Sequence, residues 1–367
     1  MTSLDLKNWL KIDQATLSVI IYQPILAIIF ALFLSALTMY VTGVDLPTIG
    51  KSYLALLDGA VGSTYALSES LTAAAPLILA GLGIAVGFRA GLFNIGAEGQ
   101  MLIGGMAAVL AGTHFSGLSS VFHLPFSLLA GALGGAMWGL IAGWLRAKSG
   151  AHEVITTIML NFIALRIVDY LLRNPYFQKP GRQDPISKTV FDSASLPRLL
   201  EWLEPNLRVH AGIFLVVLMV ILIYWLLFKT TIGFEFRATG ANPEAAKYAG
   251  IKPAFTIIAV MAVAGGLAGL AGANQILGVL GRASPGFTAG LGFEAIAVAL
   301  LGRAHPGGVL VAGLLFGALV AGGRQMQVEA GVSIDLITII QSLIIVFIAA
   351  PLLVRDISPK FLKGLIK

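Results

Sequence analysis

Residues 211–228 read AGIFLVVLMVILIYWLLF, a run without a single charge. About 20 apolar residues are what an α-helix needs to cross the hydrocarbon core of a bilayer, and only helices and closed barrels satisfy their own backbone there. Comparable runs, separated by Gly, Pro or charge, recur near 19–40, 71–88, 92–112, 125–145, 154–172, 254–278, 289–301, 307–321 and 333–354. They predict an all-α polytopic membrane protein of about ten transmembrane helices (eight to ten), in one transmembrane domain over 1–367. The eighth and ninth runs are short enough for re-entrant or broken half-helices, which are tolerated where protein buries them.

Composition agrees. Charged residues make up 11% of the chain and hydrophobic residues 57%, with a mean hydropathy of +0.89, whereas a soluble domain carries roughly 25% charge. The first run follows Asp5, Lys7, Lys11 and Asp13 and has no small-residue cleavage site behind it, which predicts a retained anchor. With no cysteine, the chain has no disulfide, thiolate metal site or cysteine nucleophile.

The net charge of +6 is explained by topology rather than by nucleic acid. Lys and Arg gather before the first run and at 89, 146–148, 229–252, 303 and 355–367. Apart from the loop 173–210, the opposite segments hold only Lys51, Arg282 and Arg324. The positive-inside rule then places both termini in the cytoplasm. It makes 229–253 a cytoplasmic loop and 173–210, rich in Pro and aromatic residues, the largest extracytoplasmic one.

Gly131, Gly135, Gly139 and Gly143 recur every fourth residue. Gly87 with Gly91, Gly265 with Gly269, and Gly313 with Gly317 share that small-xxx-small spacing, which lets helix backbones approach closely in lipid. No long internal repeat is evident.

Polar groups inside such helices are expensive and point to function. Asn94, Glu98 and Gln100 fall in the third run, with Glu98 one turn beyond Asn94; Glu98 either serves a pathway or braces the fold by capping amides or meeting Arg89. Glu153, Thr157 and Asn161 fall at i, i+4 and i+8 and make one polar stripe. Arg166 and Asp169 suit a mutual ion pair. Asn274 and Gln275 stand at the outer end of the seventh run, and Glu294 opens the eighth, where a helix N-terminus favours its charge. Amides and hydroxyls with few acids suggest a neutral, hydrogen-bonding cargo. The candidate pathway is therefore Asn94, Glu98, Gln100, Thr157, Asn161, Asn274 and Gln275.

Chemistry motifs fail. Gly50–Ser52 lacks the earlier glycine of a phosphate-binding loop, since Asp45 stands in its place; His152–Glu153 is not followed by a histidine at 156; and no G-x-S-x-G is present. No catalytic constellation or resident cofactor is expected.

In the loop 229–253, Asn242 is placed to cap a helix begun by Pro243, and Gly250 to end it. The stretch GFEFRATGANPEAAKYAGI, followed by AVAGGLAGLAGA, resembles the cytoplasmic coupling loop of ABC importer permeases in the branched-chain amino acid, ribose and nucleoside family. GLFNIGAEGQM, HEVITTIMLNFIA and EAIAVALLGRAHPGG are similar to the nucleoside and simple-sugar branch; together these segments span about 88–310. The resemblance implies a transport subunit of a bacterial plasma (inner) membrane, not an enzyme. Its implied partners are two ATPase subunits that bind ATP and Mg, a second permease (identical or paralogous), and an extracytoplasmic substrate-binding protein or lipoprotein. It also implies that Arg237, Gly240, Asn242, Pro243, Glu244, Ala245, Ala246 and Gly250 occupy the element that docks on the ATPase, the small alanines entering its cleft. A nucleoside moved by alternating access is the expected cargo. A sugar or flavin-type solute, or an ion-gradient transporter using Glu98, is the alternative.

Overall fold

The computed structural model describes residues 23–333 and 335–349. Both charged tails, residues 19–22 of the first run and 350–354 of the last lie outside the described residues. The helices are α1 (Gln23–Val41), α2 (Leu46–Val61), α3 (Thr64–Arg89), α4 (Ala97–His114), α5 (Ser120–Ser149), α6 (Glu153–Leu172), α7 (Gly212–Lys229), α8 (Thr231–Ala241), α9 (Pro243–Tyr248), α10 (Pro253–Gln275), α11 (Leu291–Leu301), α12 (Pro306–Ala330) and α13 (Asp335–Ala349). Among the described residues the extended pairings are two isolated bridges, Gln178 with Ser187 and Arg198 with His210.

A helix stands at each predicted run. Among the described residues six are long and apolar enough to cross a membrane: α3, α5, α6, α7, α10 with its extension to Leu280, and α12. Three features differ from expectation. The third run turns helical only at Ala97, the ninth is a full 25-residue helix rather than a half-helix, and the eighth alone stays short at 11 residues. Helices α2 and α8 were not anticipated, because both interleave polar residues with apolar ones. Gly50–Ser52 lies inside α2, so it forms no phosphate loop.

The chain divides into two compact units, residues 58–322, and residues 1–57 with 323–367. In the second, the Phe30 and Phe347 rings lie 5.8 Å apart, and the Ser35 and Tyr53 hydroxyls share a 2.6 Å hydrogen bond.

Within 58–322, α3 is the central helix. Some 83% of its apolar stretch is buried, against 22–28% for α5, α6 and α7. Those three expose Met137, Trp144, Phe162, Phe214 and Trp225, an apolar surface that lipid or another apolar chain must cover.

Glycines set how close the helices come. A Cβ on Gly135 would stand 2.6 Å from the Gly269 Cα, one on Gly131 2.6 Å from Ala273 Cβ, and one on Gly104 2.8 Å from the Gly131 carbonyl oxygen. Helices α4, α5 and α10 therefore pack backbone on backbone, where dispersion replaces the missing hydrophobic drive. Gly317 lies as closely against Ala74 of α3. The Gly87/Gly91 pair behaves otherwise: Gly91, at φ +71°, ends α3, with Gly91 N–H donating to Phe88 O and Leu92 N–H to Gly87 O. That is a helix stop built on a left-handed residue, and Gly91 packs there against Gly240 of α8.

The loop 173–211 is tied to one end of the bundle. Phe191 N–H donates to Gly112 O (2.9 Å), Leu196 N–H to Leu277 O (2.8 Å) and Ser187 N–H to Ala283 O (2.9 Å). Arg208 grips the Glu69 carboxylate with two nitrogens, and Ser68 Oγ accepts the Arg208 and Val209 amides at 2.9 Å each.

Replacing Gly269 by Ala is expected to lower the stability of the detergent-solubilised protein by about 1–3 kcal/mol through overpacking. On the same helix, Gly266→Ala meets only ordinary contacts beyond 3.5 Å and should be neutral. Thermal unfolding of the two variants side by side checks this.

Candidate functional site

Between the end of α3 and the start of α4 the chain crosses residues 90–96 without helical structure, at positions that are mostly buried. Non-helical backbone at such depth needs partners from the protein. Asn94 Oδ1 accepts Gly96 N–H (2.9 Å), and its amide donates to Gln100 Oε1 (3.0 Å). Asn161 bridges the break, donating to Ile95 O and accepting Gly99 N–H, both at 2.9 Å. Glu153 Oε1 accepts Phe93 N–H (3.4 Å) while Oε2 pairs with Arg146 Nε (3.3 Å), and Thr157 Oγ1 donates to Glu153 O (2.7 Å). The polar stripe of α6 thus supports the broken backbone.

Glu98 lies in the first turn of α4. It accepts the Thr288 hydroxyl and the amides of Gly290 (3.2 Å) and Gly292 (2.8 Å), which begin α11. A Cβ on Gly292 would overlap the Glu98 backbone. Two helix N-termini therefore converge on one carboxylate, whose charge both dipoles favour. The amide-capping expectation for Glu98 holds, with the amides of α11 as its objects. The Arg89 brace does not: Arg89 donates to Ala304 O (2.9 Å) and Arg303 O (3.4 Å) at the other end of α11. Ala289, Arg303 and Ala304 all have positive φ, so backbone strain flanks α11 on both sides. Glu294 sits in its first turn, as expected, and Arg166 meets Asp169 at 3.5 Å.

At the opposite end, Asn274 is fully buried and neither amide atom has a hydrogen-bond partner. Gln275 is half-buried beside it, and α10 continues as a π-helical turn, Ile276–Leu280. A Cβ on Gly212 would crowd both the Asn274 amide and the His210 ring, so these groups are neighbours. No local pattern singles out His210, which is 1% exposed; its Nδ1 accepts Gly212 N–H (3.2 Å) and its Nε2 is unpartnered. Burial, aided by the charges of Arg198 and Arg208, lowers its pKa to about 4. A cavity of about 620 Å³ lies on this side, lined by Ser120, Asp192, Ser195, Arg198, Glu201 and Gly278 among others.

The third feature is the segment 237–250. Asn242 Oδ1 accepts Ala245 N–H (3.0 Å), Pro243 opens α9, and Gly250, at φ +86°, ends it, which is the expected capping pattern. The helix itself is six residues long. Gly240 belongs to α8, and a Cβ there would meet Arg89 O at 2.5 Å and Gly91 N at 2.7 Å. Ala246 is 3% exposed. Both are packed within this chain. Outward stand Glu244, Ala245, Lys247 and Tyr248, the last 93% exposed; an aromatic of that exposure is a natural interface anchor, and small-residue spacing did not single it out.

Helices that need lipid, a buried break satisfied by side chains and an exposed capped helix together define a multi-pass membrane protein whose apolar interior carries a local cluster of polar groups. The chain belongs to the branched-chain amino acid transport system permease component family, whose model matches residues 66–349. It is 40% identical over 342 residues to the guanosine ABC transporter permease protein NupP of Bacillus subtilis, covering 93% of this chain and 96% of that one. It is 35% identical over 341 residues to the nucleoside ABC transporter permease protein NupB of Lactococcus lactis (92% and 93%). Against the glucose ABC transporter permease protein TsgB13 of Haloferax volcanii it is 38% identical over 331 residues (89% and 86%). No solved structure matches the chain. It is an ABC transporter permease, a transport subunit and not an enzyme.

Two outcomes test this geometry. Glu98→Gln sets an NH₂ against amide donors and should destabilise the protein by about 1–3 kcal/mol, read by thermal unfolding in detergent. For His210, the unfolded chain takes up its proton near pH 6.5 and the folded one near 4. The unfolded state thus binds more protons between those values, and stability falls as pH drops through that window. His210→Gln should flatten that part of the stability–pH curve and leave the region above pH 6.5 unchanged.

Proposed function

We propose that the chain is the membrane-spanning subunit of an ATP-driven importer for a neutral polar solute, a nucleoside, moved by alternating access. The observation that carries the cargo is the match over more than nine-tenths of the chain to guanosine and nucleoside permeases. The fold supports it: amides, hydroxyls and carboxylates occupy the interior, the chemistry that hydrogen-bonds a sugar and a base. In this reading the bundle crosses the bilayer ten times with both termini in the cytoplasm. The path runs past the break at Glu98, where Asn94, Gln100, Thr157 and Asn161 hold its walls, to Asn274 and Gln275 at the outer end.

The chain itself holds no cofactor. ATP and Mg belong to two cytoplasmic ATPase subunits, a second permease completes the pore, and an extracytoplasmic binding protein delivers cargo to the face that carries 173–211. The ATPase meets Glu244, Ala245, Lys247 and Tyr248 of α9. Arg237, Gly240, Asn242, Pro243, Ala246 and Gly250 shape and seat that helix. A simple sugar is the second reading, favoured by the identity to a glucose permease.

Calorimetry of the co-purified binding protein against nucleosides and sugars identifies the cargo class, with nanomolar-to-micromolar nucleoside binding expected and sugar-only binding excluding the reading. Tyr248→Ala is expected to reduce ATPase co-purification and ATP-driven uptake at least about tenfold, the range of an aromatic interface anchor, without altering the permease's own stability. Ion-driven uptake by the isolated chain without ATP would overturn the ATP-driven scheme.

A further inference from the structure

The side chain of Phe228, near the end of α7, collects groups from three separate segments. The Arg89 guanidinium, from the end of α3, lies 5.6 Å from its ring centroid and the Arg237 guanidinium, from α8, 5.2 Å. The His305 ring, just beyond α11, stacks on it at 5.4 Å and 30°, and Tyr224 stands 5.3 Å away, one turn back on α7. Both cations are within the distance at which a ring quadrupole attracts a charge. Burial and the Arg89 charge lower the pKa of His305.

A second contact runs alongside. Gly240 of α8 abuts the backbone of residues 89–91 so closely that neither Gly240 nor Gly91 has room for a side chain. Arg89 also donates to Ala304 O, fastening the strained pair Arg303–Ala304 that ends α11. The far end of α11 is held by Glu98. A displacement of α8 therefore bears at once on residues 89–96, which lead to Glu98, and on residues 303–305, which end α11.

We propose that Phe228 is a coupling residue: its ring clamps Arg237 of α8 to Arg89 and His305, so that motion imposed on α8–α9 is passed to α11 and shifts it against Glu98. Phe228 acts through these neighbours and touches no cargo. The half-helix is the natural element to move, because it is short, begins on a carboxylate rather than in a continuous helix, and is strained at both ends. Packed elements with two arrangements convert small displacements into a switch. The inference rests on the reading of α9 as the ATPase-facing helix.

The test uses the assembled transporter in liposomes and two readouts. The first is guanosine or glucose carried, whichever the binding protein holds, per ATP hydrolysed. The second is a nitroxide pair at Phe293→Cys on α11 and Met137→Cys on α5, in a chain that has no other cysteine. In the parent chain the spin–spin distance shifts when ATP hydrolysis is trapped. Phe228→Leu, which keeps an apolar side chain and removes the π face, should leave the ATPases bound and hydrolysing. It should lower cargo per ATP about tenfold, a typical coupling free energy, and abolish the distance shift; Phe228→Tyr should restore both. Arg89→Gln, which releases Ala304 O, should reproduce the uncoupling if Phe228→Leu does not assemble.

An unchanged stoichiometry and an unchanged distance shift in assembled Phe228→Leu or Arg89→Gln overturn the relay. So does the absence of any α11 shift in the parent chain. The reading of α9 fails separately, if Tyr248→Ala leaves ATPase binding intact.

Discussion

A backbone that leaves helical geometry inside a low-dielectric interior must find every hydrogen-bond partner within the protein. Residues 90–96 are such a backbone, and much of the polar chemistry of the interior exists to serve them. Asn94, Gln100 and Asn161 close the turn, Glu153 reaches Phe93 from α6, and Glu98 turns to the amides of α11. The break also produces a second helix N-terminus beside that of α11, and a single carboxylate answers both. Without the break α4 would be one more apolar rod. With it, the protein has a polar junction at which α4 meets the start of α11 through Glu98.

The glycine packing of α4, α5 and α10 gives that junction a rigid wall. Backbones touch at Gly104, Gly131, Gly135 and Gly269. Helix α11 meets the junction through Gly292, which lies against the Glu98 backbone, and residues of positive φ flank the helix on both sides. Its connection to α8 through Phe228 joins the exposed helix α9 to the interior without a continuous helix between them.

Much of this was legible in the residues. Apolar length marked the helices at the predicted runs, though not α2 and α8; glycine spacing marked close-packing edges on α5 and α10, though not that they meet; and Asn242, Pro243 and Gly250 marked both ends of α9 through local capping chemistry. Other features depend on neighbours remote in sequence. Glu98 is 192 and 194 residues from the amides it accepts, and nothing near it distinguishes a wall of the pathway from a cap. Gly240 and Ala246 matched the small-residue pattern of a docking helix, yet they face their own bundle, and Tyr248, outside that pattern, faces outward. His210 and Phe228 drew no attention because a lone ring at the end of an apolar run has no local signature.

The sequence by itself determined that the chain is helical and membrane-bound, and where the capped helix α9 begins and ends. Those properties follow from transfer free energy summed over about 20 residues and from backbone preferences confined to one or two turns. Only the tertiary structure decided which polar groups are spent on holding the broken backbone and which atoms remain without partners, as the Asn274 amide and His210 Nε2 do. Hydrogen-bond satisfaction inside a membrane protein is a property of pairs of residues, and the members of those pairs are brought together only by the packing of distant helices.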